Sequence, residues 1–133
     1  MVLYADSSAL MKRYVAEHDS AAADSLLGSD PVLATSRLTE VEVRRNLARV
    51  LDGTDAAGAK RQFLKDLDAF ALVAVDATIC NDAARIAEQT GCRLLDSIHI
   101  ASALRAGSQT TFLTFDVRQA NAARAMGLTV IGT

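Results

Sequence analysis

Short runs of almost uninterrupted apolar residues alternate with helical stretches along this chain. The runs fall at 2–5, 32–35, 72–75, 111–114 and 129–131. A strand that is apolar on both sides must be covered on both sides. Parallel strands joined by crossover helices meet that demand. The pattern therefore predicts an α/β fold, a three-layer α/β/α sandwich around a mostly parallel sheet. Helices are expected at 9–16, 19–27, 37–51, 56–70, 77–90, 96–107 and 117–126, with Gly28, Gly53, Gly91, Gly107 and Gly127 near their ends. Pro31 precedes the second strand, and 52–59 reads as a loose helix–helix connection.

A chain of 133 residues can bury one real core but not two, so residues 1–133 are read as a single domain. Aromatic residues make up 5% and Trp is absent, which favours closely packed helices over an aromatic-rich β sandwich. The formal net charge of −2 argues against a protein that coats nucleic acid through its overall charge. A nuclease gripping one short segment through a metal and a few arginines stays compatible. Cys80 and Cys92 form no metal-ligand spacing and are expected to pack as small apolar side chains, without a disulfide. No apolar stretch approaches the ~20 residues needed to span a bilayer, and no leader precedes the first strand. The expected location is cytoplasmic, with no membrane contact.

Four acidic residues stand out. Asp6, Asp96 and Asp116 each follow a short apolar run and precede a helical one. In an open parallel sheet, strand ends share the edge where ligands bind. Glu40 falls on the apolar arc of its helix, between Val43 and Leu51, whereas Glu42 falls on the opposite side with Arg45 and Arg49. Two like charges ~5 Å apart cost about 3 kcal/mol at an effective dielectric of about 20. A hard divalent cation such as Mg²⁺ or Mn²⁺ relieves that repulsion through oxygen ligands. Each residue also has a plainer reading. Aspartates cap helices, worth about 1 kcal/mol, and Glu40 has Arg44 four residues on.

Other residues are less telling. Lys12, Arg13, Arg37, Arg44, Arg93 and Arg118 lie near the expected active edge and suit either phosphates or solvent. With few aromatics for stacking, any nucleic-acid recognition is expected to read backbone shape. His99 reads as a packing or interface histidine, His18 as solvated, and Tyr14 as packed with its hydroxyl outward. Transfer through an aspartyl phosphate would need a late lysine, and the last one is Lys65.

Four blocks carry a family resemblance. "YADSSALMKRYVAE", "SRLTEVEVRRNLAR", "RLLDSIHIASAL" and "FLTFDVRQANAA" occur in order across nearly the whole chain. Together they resemble the PIN-domain family, and within it the VapC toxins of VapBC toxin–antitoxin pairs. The resemblance implies a PIN-like fold and Mg²⁺- or Mn²⁺-dependent endoribonuclease activity leaving a 5′-phosphate and a 3′-hydroxyl. It implies that Asp6, Glu40, Asp96 and Asp116 are the catalytic and metal-binding residues, with Asp6 and Asp96 as direct ligands. Thr114 matches a hydroxyl that orients a carboxylate or a water. The expected partners are an RNA substrate, a VapB-type antitoxin that occludes the acidic pocket, and a second copy of the chain docking through 37–70. The alternative is a non-catalytic PIN-like interaction module.

Overall fold

The computed structural model describes residues 2–28 and 32–133. Its strands are β1 (Val2–Ala5), β2 (Leu33–Ser36), β3 (Ala71–Val73), β4 (Thr110–Leu113) and β5 (Thr129–Ile131). They pair in the order β3-β2-β1-β4-β5, and every pairing is parallel. The helices are α1 (Ser7–Tyr14), α2 (Ser20–Leu27), α3 (Arg37–Val50), α4 (Gly53–Leu67), α5 (Ala77–Thr90), α6 (Leu94–Arg105) and α7 (Val117–Ala125). Pro31, expected just before β2, lies outside the described residues.

The strand order sets the function-bearing edge. From β1 the chain moves outward through β2 and β3, then returns to the other side of β1 as β4 and β5. The carboxyl ends of β1 and β4 therefore flank the point where the winding reverses. A crevice opens there in folds of this kind.

Period-two alternation divides the core. Leu3, Ala5 and Leu113 face the layer of α1 to α4, where Leu10, Val43, Leu47 and Phe63 are buried. Tyr4 and Phe112 face the layer of α5 to α7 and meet Ile79, Ile86 and Ile100. Their rings stack at 5.4 Å with planes 9° apart. Covering on both sides is what the apolar strands require.

Several boundaries differ from the sequence reading. The stretch 52–59 is mostly helix, because α4 begins at Gly53 and only Leu51 and Asp52 connect it to α3. The amides of Asp55 and Ala56 bond to the Asp52 carbonyl, and the following alanines favour helix. Helix α6 starts at Leu94, so Asp96 occupies its first turn rather than a strand end. Both cysteines are free. Cys92 packs partly against the α5–α7 core, whereas Cys80 is exposed rather than packed. Among the described residues no helix is long and apolar enough to cross a membrane.

Phe63 is fully buried and meets the Tyr14 ring edge-on at 5.5 Å. Phe63→Ala should cost about 3–5 kcal/mol by urea unfolding, the range for emptying an aromatic site. A loss below about 1 kcal/mol would contradict the packing described.

Candidate active site

Asp6 leaves β1 in an extended conformation and caps α1. Its Oδ1 accepts from the Ala9 amide at 2.9 Å and from Ser8 Oγ at 2.7 Å. Its Oδ2 accepts from Thr114 Oγ1 at 2.6 Å. Thr114 stands just past β4, and its hydroxyl oxygen accepts the Asp116 amide at 3.0 Å. One hydroxyl thus couples the ends of two strands more than a hundred residues apart. Asp6 is 1% exposed. Burial pushes its carboxyl above the ordinary range, and the nearby His99, Thr114, Ala9 and Ser8 oppose that only in part.

Asp116 caps α7, its Oδ1 accepting from the amides of Arg118 at 2.9 Å and Gln119 at 3.3 Å. Partial burial disfavours its charge, but those amides and Arg93 outweigh it and hold the carboxyl below the usual range. Asp96, in the first turn of α6, is 7% exposed. Arg93 spans the gap: Nε lies 3.0 Å from Asp96 Oδ2, and Nη2 lies 2.5 Å from Asp116 Oδ2.

The fourth carboxylate is a correction to the sequence reading. Glu40 does not line the cleft. It is held along its own helix by Arg37 at 3.6 Å and Arg44 at 3.3 Å. Glu42 lines the cleft instead, together with Asp6, Asp96, Asp116, His99 and Arg93, around a volume of about 610 Å³. The buried stripe of α3 is Thr39, Val43 and Leu47, so both glutamates flank it. Leu51 lies beyond the helix in extended backbone and does not belong on the wheel that favoured Glu40. Which flank meets the cleft depends on where α6 packs, and helical periodicity carries no trace of that.

His99 is what selects Glu42. Its ring is 2% exposed and bonded at both nitrogens: Nε2 to Glu42 Oε1 at 2.6 Å, Nδ1 to the Tyr4 hydroxyl at 2.7 Å. Burial raises the Tyr4 pKa far above its ordinary value, so the hydroxyl stays protonated. Each ring nitrogen therefore has a partner, a hydroxyl on one side and a carboxylate on the other. A buried histidine needs partners for both nitrogens, and that signal pointed toward a second carboxylate.

The donor set is that of a hard-cation site. Four carboxylates and no thiolate suit Mg²⁺ or Mn²⁺, and Asp6 is a buried carboxyl with only neutral hydrogen-bond donors on its oxygens. As placed, among the described residues, no three His, Cys, Asp or Glu side chains converge closely enough to hold an ion. The Arg93 guanidinium lies between two of the carboxylates and supplies the positive charge there. The chemistry fits a cation, provided that Arg93 moves aside.

Residues 3–125 match the family model of the PIN domain, and the chain belongs to that family. Among curated relatives, Ribonuclease VapC46 of Mycobacterium tuberculosis (strain ATCC 25618 / H37Rv) is 37% identical over 131 residues, covering 97% of this chain and 95% of the relative. Ribonuclease VapC35 of Mycobacterium tuberculosis (strain CDC 1551 / Oshkosh) is 36% identical over 135 residues, covering 98% and 96%. The crystal structure of Mycobacterium tuberculosis VapC20, described as a sarcin–ricin loop cleaving toxin, superposes with a TM-score of 0.76 at 18% identity, covering 98% of both chains. FitAcB from Neisseria gonorrhoeae gives 0.74 at 20% identity, covering 98% and 96%. At such identities the structural matches establish the fold, and the site must be argued from its own residues.

A carboxyl whose pKa is raised by folding binds more protons folded than unfolded, so its contribution to stability falls as pH rises above the unfolded value of about 3.9. In EDTA, Asp6→Asn should therefore raise Tm at pH 7 by roughly 2–5 °C, the shift expected for about 1 kcal/mol. The gain should shrink toward pH 4, where the wild-type carboxyl carries its proton. A variant that melts lower than wild type at both pH values would contradict the burial argument.

Proposed function

We propose that this chain is a metal-dependent endoribonuclease of the VapC toxin type, restrained by a cognate VapB-type antitoxin. The observation that carries the reading is the cleft at the reversal point of the sheet, where Asp6, Glu42, Asp96 and Asp116 meet. The identity to proteins named ribonucleases supports the reaction class.

The residues to hold Mg²⁺ or Mn²⁺ are Asp6, Asp96 and Asp116, with Glu42 in the role expected of Glu40. When bound, such an ion supplies a more acidic water and a counter-charge for the phosphoryl oxygens. The chain supplies the rest. Ser8, Ala9 and Thr114 hold both Asp6 oxygens, which fixes the carboxylate plane before any ligand arrives. Tyr4 and His99 fix Glu42, the carboxylate that takes the proton of the attacking water. Arg93 releases Asp96 and Asp116 and, being exposed, turns to the substrate phosphate. Cleavage leaves a 5′-phosphate and a 3′-hydroxyl.

The setting is cytoplasmic, where RNA and antitoxin are both present. A second copy docks through the α3 part of 37–70, where Val41 and Val50 stand 65% and 53% exposed. Sedimentation equilibrium of wild type and Val41→Glu tests this, since a dimer should weaken and a monomer should not change.

Cleavage of short single-stranded RNA, with Mn²⁺ or with EDTA, tests the activity. Asp6→Asn and Asp96→Asn should lose more than about 100-fold, and Glu42→Gln and His99→Gln about 10–100-fold, the range for groups that orient a metal site. Glu40→Gln should stay near wild type. Equal cleavage in EDTA, or full activity in Asp6→Asn, would remove the proposed function. Loss in Glu40→Gln without loss in Glu42→Gln would restore Glu40 to the site.

A further inference from the structure

A second cavity of about 620 Å³ adjoins the acidic cleft, and Arg93 and Asp96 line both. It lies between the end of α5 and one face of α7. Arg118, Asn121, Ala122 and Ala125 line it at the i, i+3, i+4, i+7 spacing of a single helix face. The two alanines keep its floor low. Opposite stand Gln89 and Thr90, and Gly91, at φ +72°, turns the chain back toward Arg93. That left-handed conformation is one that glycine adopts without strain.

The chemistry of this groove differs from that of the cleft. Its only carboxylate is Asp96, on the shared wall, and its remaining polar groups are guanidinium, amide and hydroxyl. Of the six cations the sequence placed near the active edge, five are engaged. Lys12 pairs with Glu17 at 2.6 Å and Asp19 at 2.9 Å, and Arg13 with Asp66 at 3.8 Å. Arg37 and Arg44 hold Glu40, and Arg93 holds Asp96 and Asp116. Arg118 remains: it is exposed and lines the groove, and no ion pair among the described residues involves it. Pockets of roughly 300–1,000 Å³ hold small ligands, so cleft and groove each take about one nucleotide.

We infer that the groove binds the nucleotide next to the scissile phosphate, with Arg118 on its phosphate and Asn121 and Gln89 on its base edge. This rests on the nuclease reading above. An amide presents a donor and an acceptor side by side, which discriminates among exposed base edges of single-stranded RNA. Recognition then includes a base at this one position, rather than backbone shape alone.

The test uses a pool of short single-stranded RNAs of randomised sequence, cut in Mn²⁺ by wild type, Arg118→Ala, Asn121→Ala and Gln89→Ala. Lys60→Ala, which removes an exposed charge from α4, controls for net charge. Arg118→Ala should raise KM about tenfold with kcat within about twofold, and flatten the salt dependence of log KM by about 0.7, one single-strand phosphate contact. Lys60→Ala should do neither. Asn121→Ala or Gln89→Ala should flatten the base preference beside the cut. Binding of the same pool to Asp6→Asn, followed by anisotropy, should weaken about tenfold on adding Arg118→Ala. If wild type cleaves but Arg118→Ala behaves like Lys60→Ala and both amide variants keep the wild-type base preference, the groove assignment is overturned and the nuclease reading stands. If wild type cleaves no RNA in Mn²⁺, both fall together.

Discussion

The hydrogen bond from Thr114 to Asp6 is the contact on which the site depends. It closes the gap between the ends of β1 and β4, the strands on either side of the winding reversal. Asp6 also starts α1, and Thr114 receives the amide of Asp116, which starts α7. One buried carboxylate therefore sets the position of two helices and of a second carboxylate. A charge that costly to bury persists where its oxygens are satisfied, and here three donors satisfy them.

Charge balance in the cleft follows from the same geometry. Asp96 and Asp116 face one another across Arg93, whose guanidinium neutralises part of the cluster. Glu42 is tied to a buried histidine. The chain can fold with its acidic groups gathered because cationic and neutral donors stand among them. The same arrangement leaves carboxylate oxygens that a cation can claim.

Much of the architecture could be read from local pattern. β1, α5 and β5 match their expected bounds to the residue, because each combines strong apolar periodicity with a clear Asp or Gly boundary. The stretch 52–59 misled because Gly53 and Gly58 suggest a loop, while Ala56, Ala57 and Ala59 sustain a helix that packs on α3. The leucines before Asp96 make a short apolar run that is not a strand. They are the exposed first turn of α6, with Leu94 77% exposed at the rim of the cleft. Asp6, Asp96 and Asp116 were legible as a set because each stands beside a helix start. Glu42 was not, since its place depends on His99 of α6 reaching it from the other helical layer, and a wheel drawn on one helix holds no information about its neighbour. His99 was the overlooked clue.

The strand order has a temporal side. β1 is made long before its partner β4, since Val2 pairs with Thr110. Residues Thr114 and Asp116 emerge later still. Domains made on the ribosome assemble as their segments appear, so the acidic bowl can be completed only after Asp116 has emerged. A chain interrupted before that point holds at most three of the four carboxylates that line the cleft.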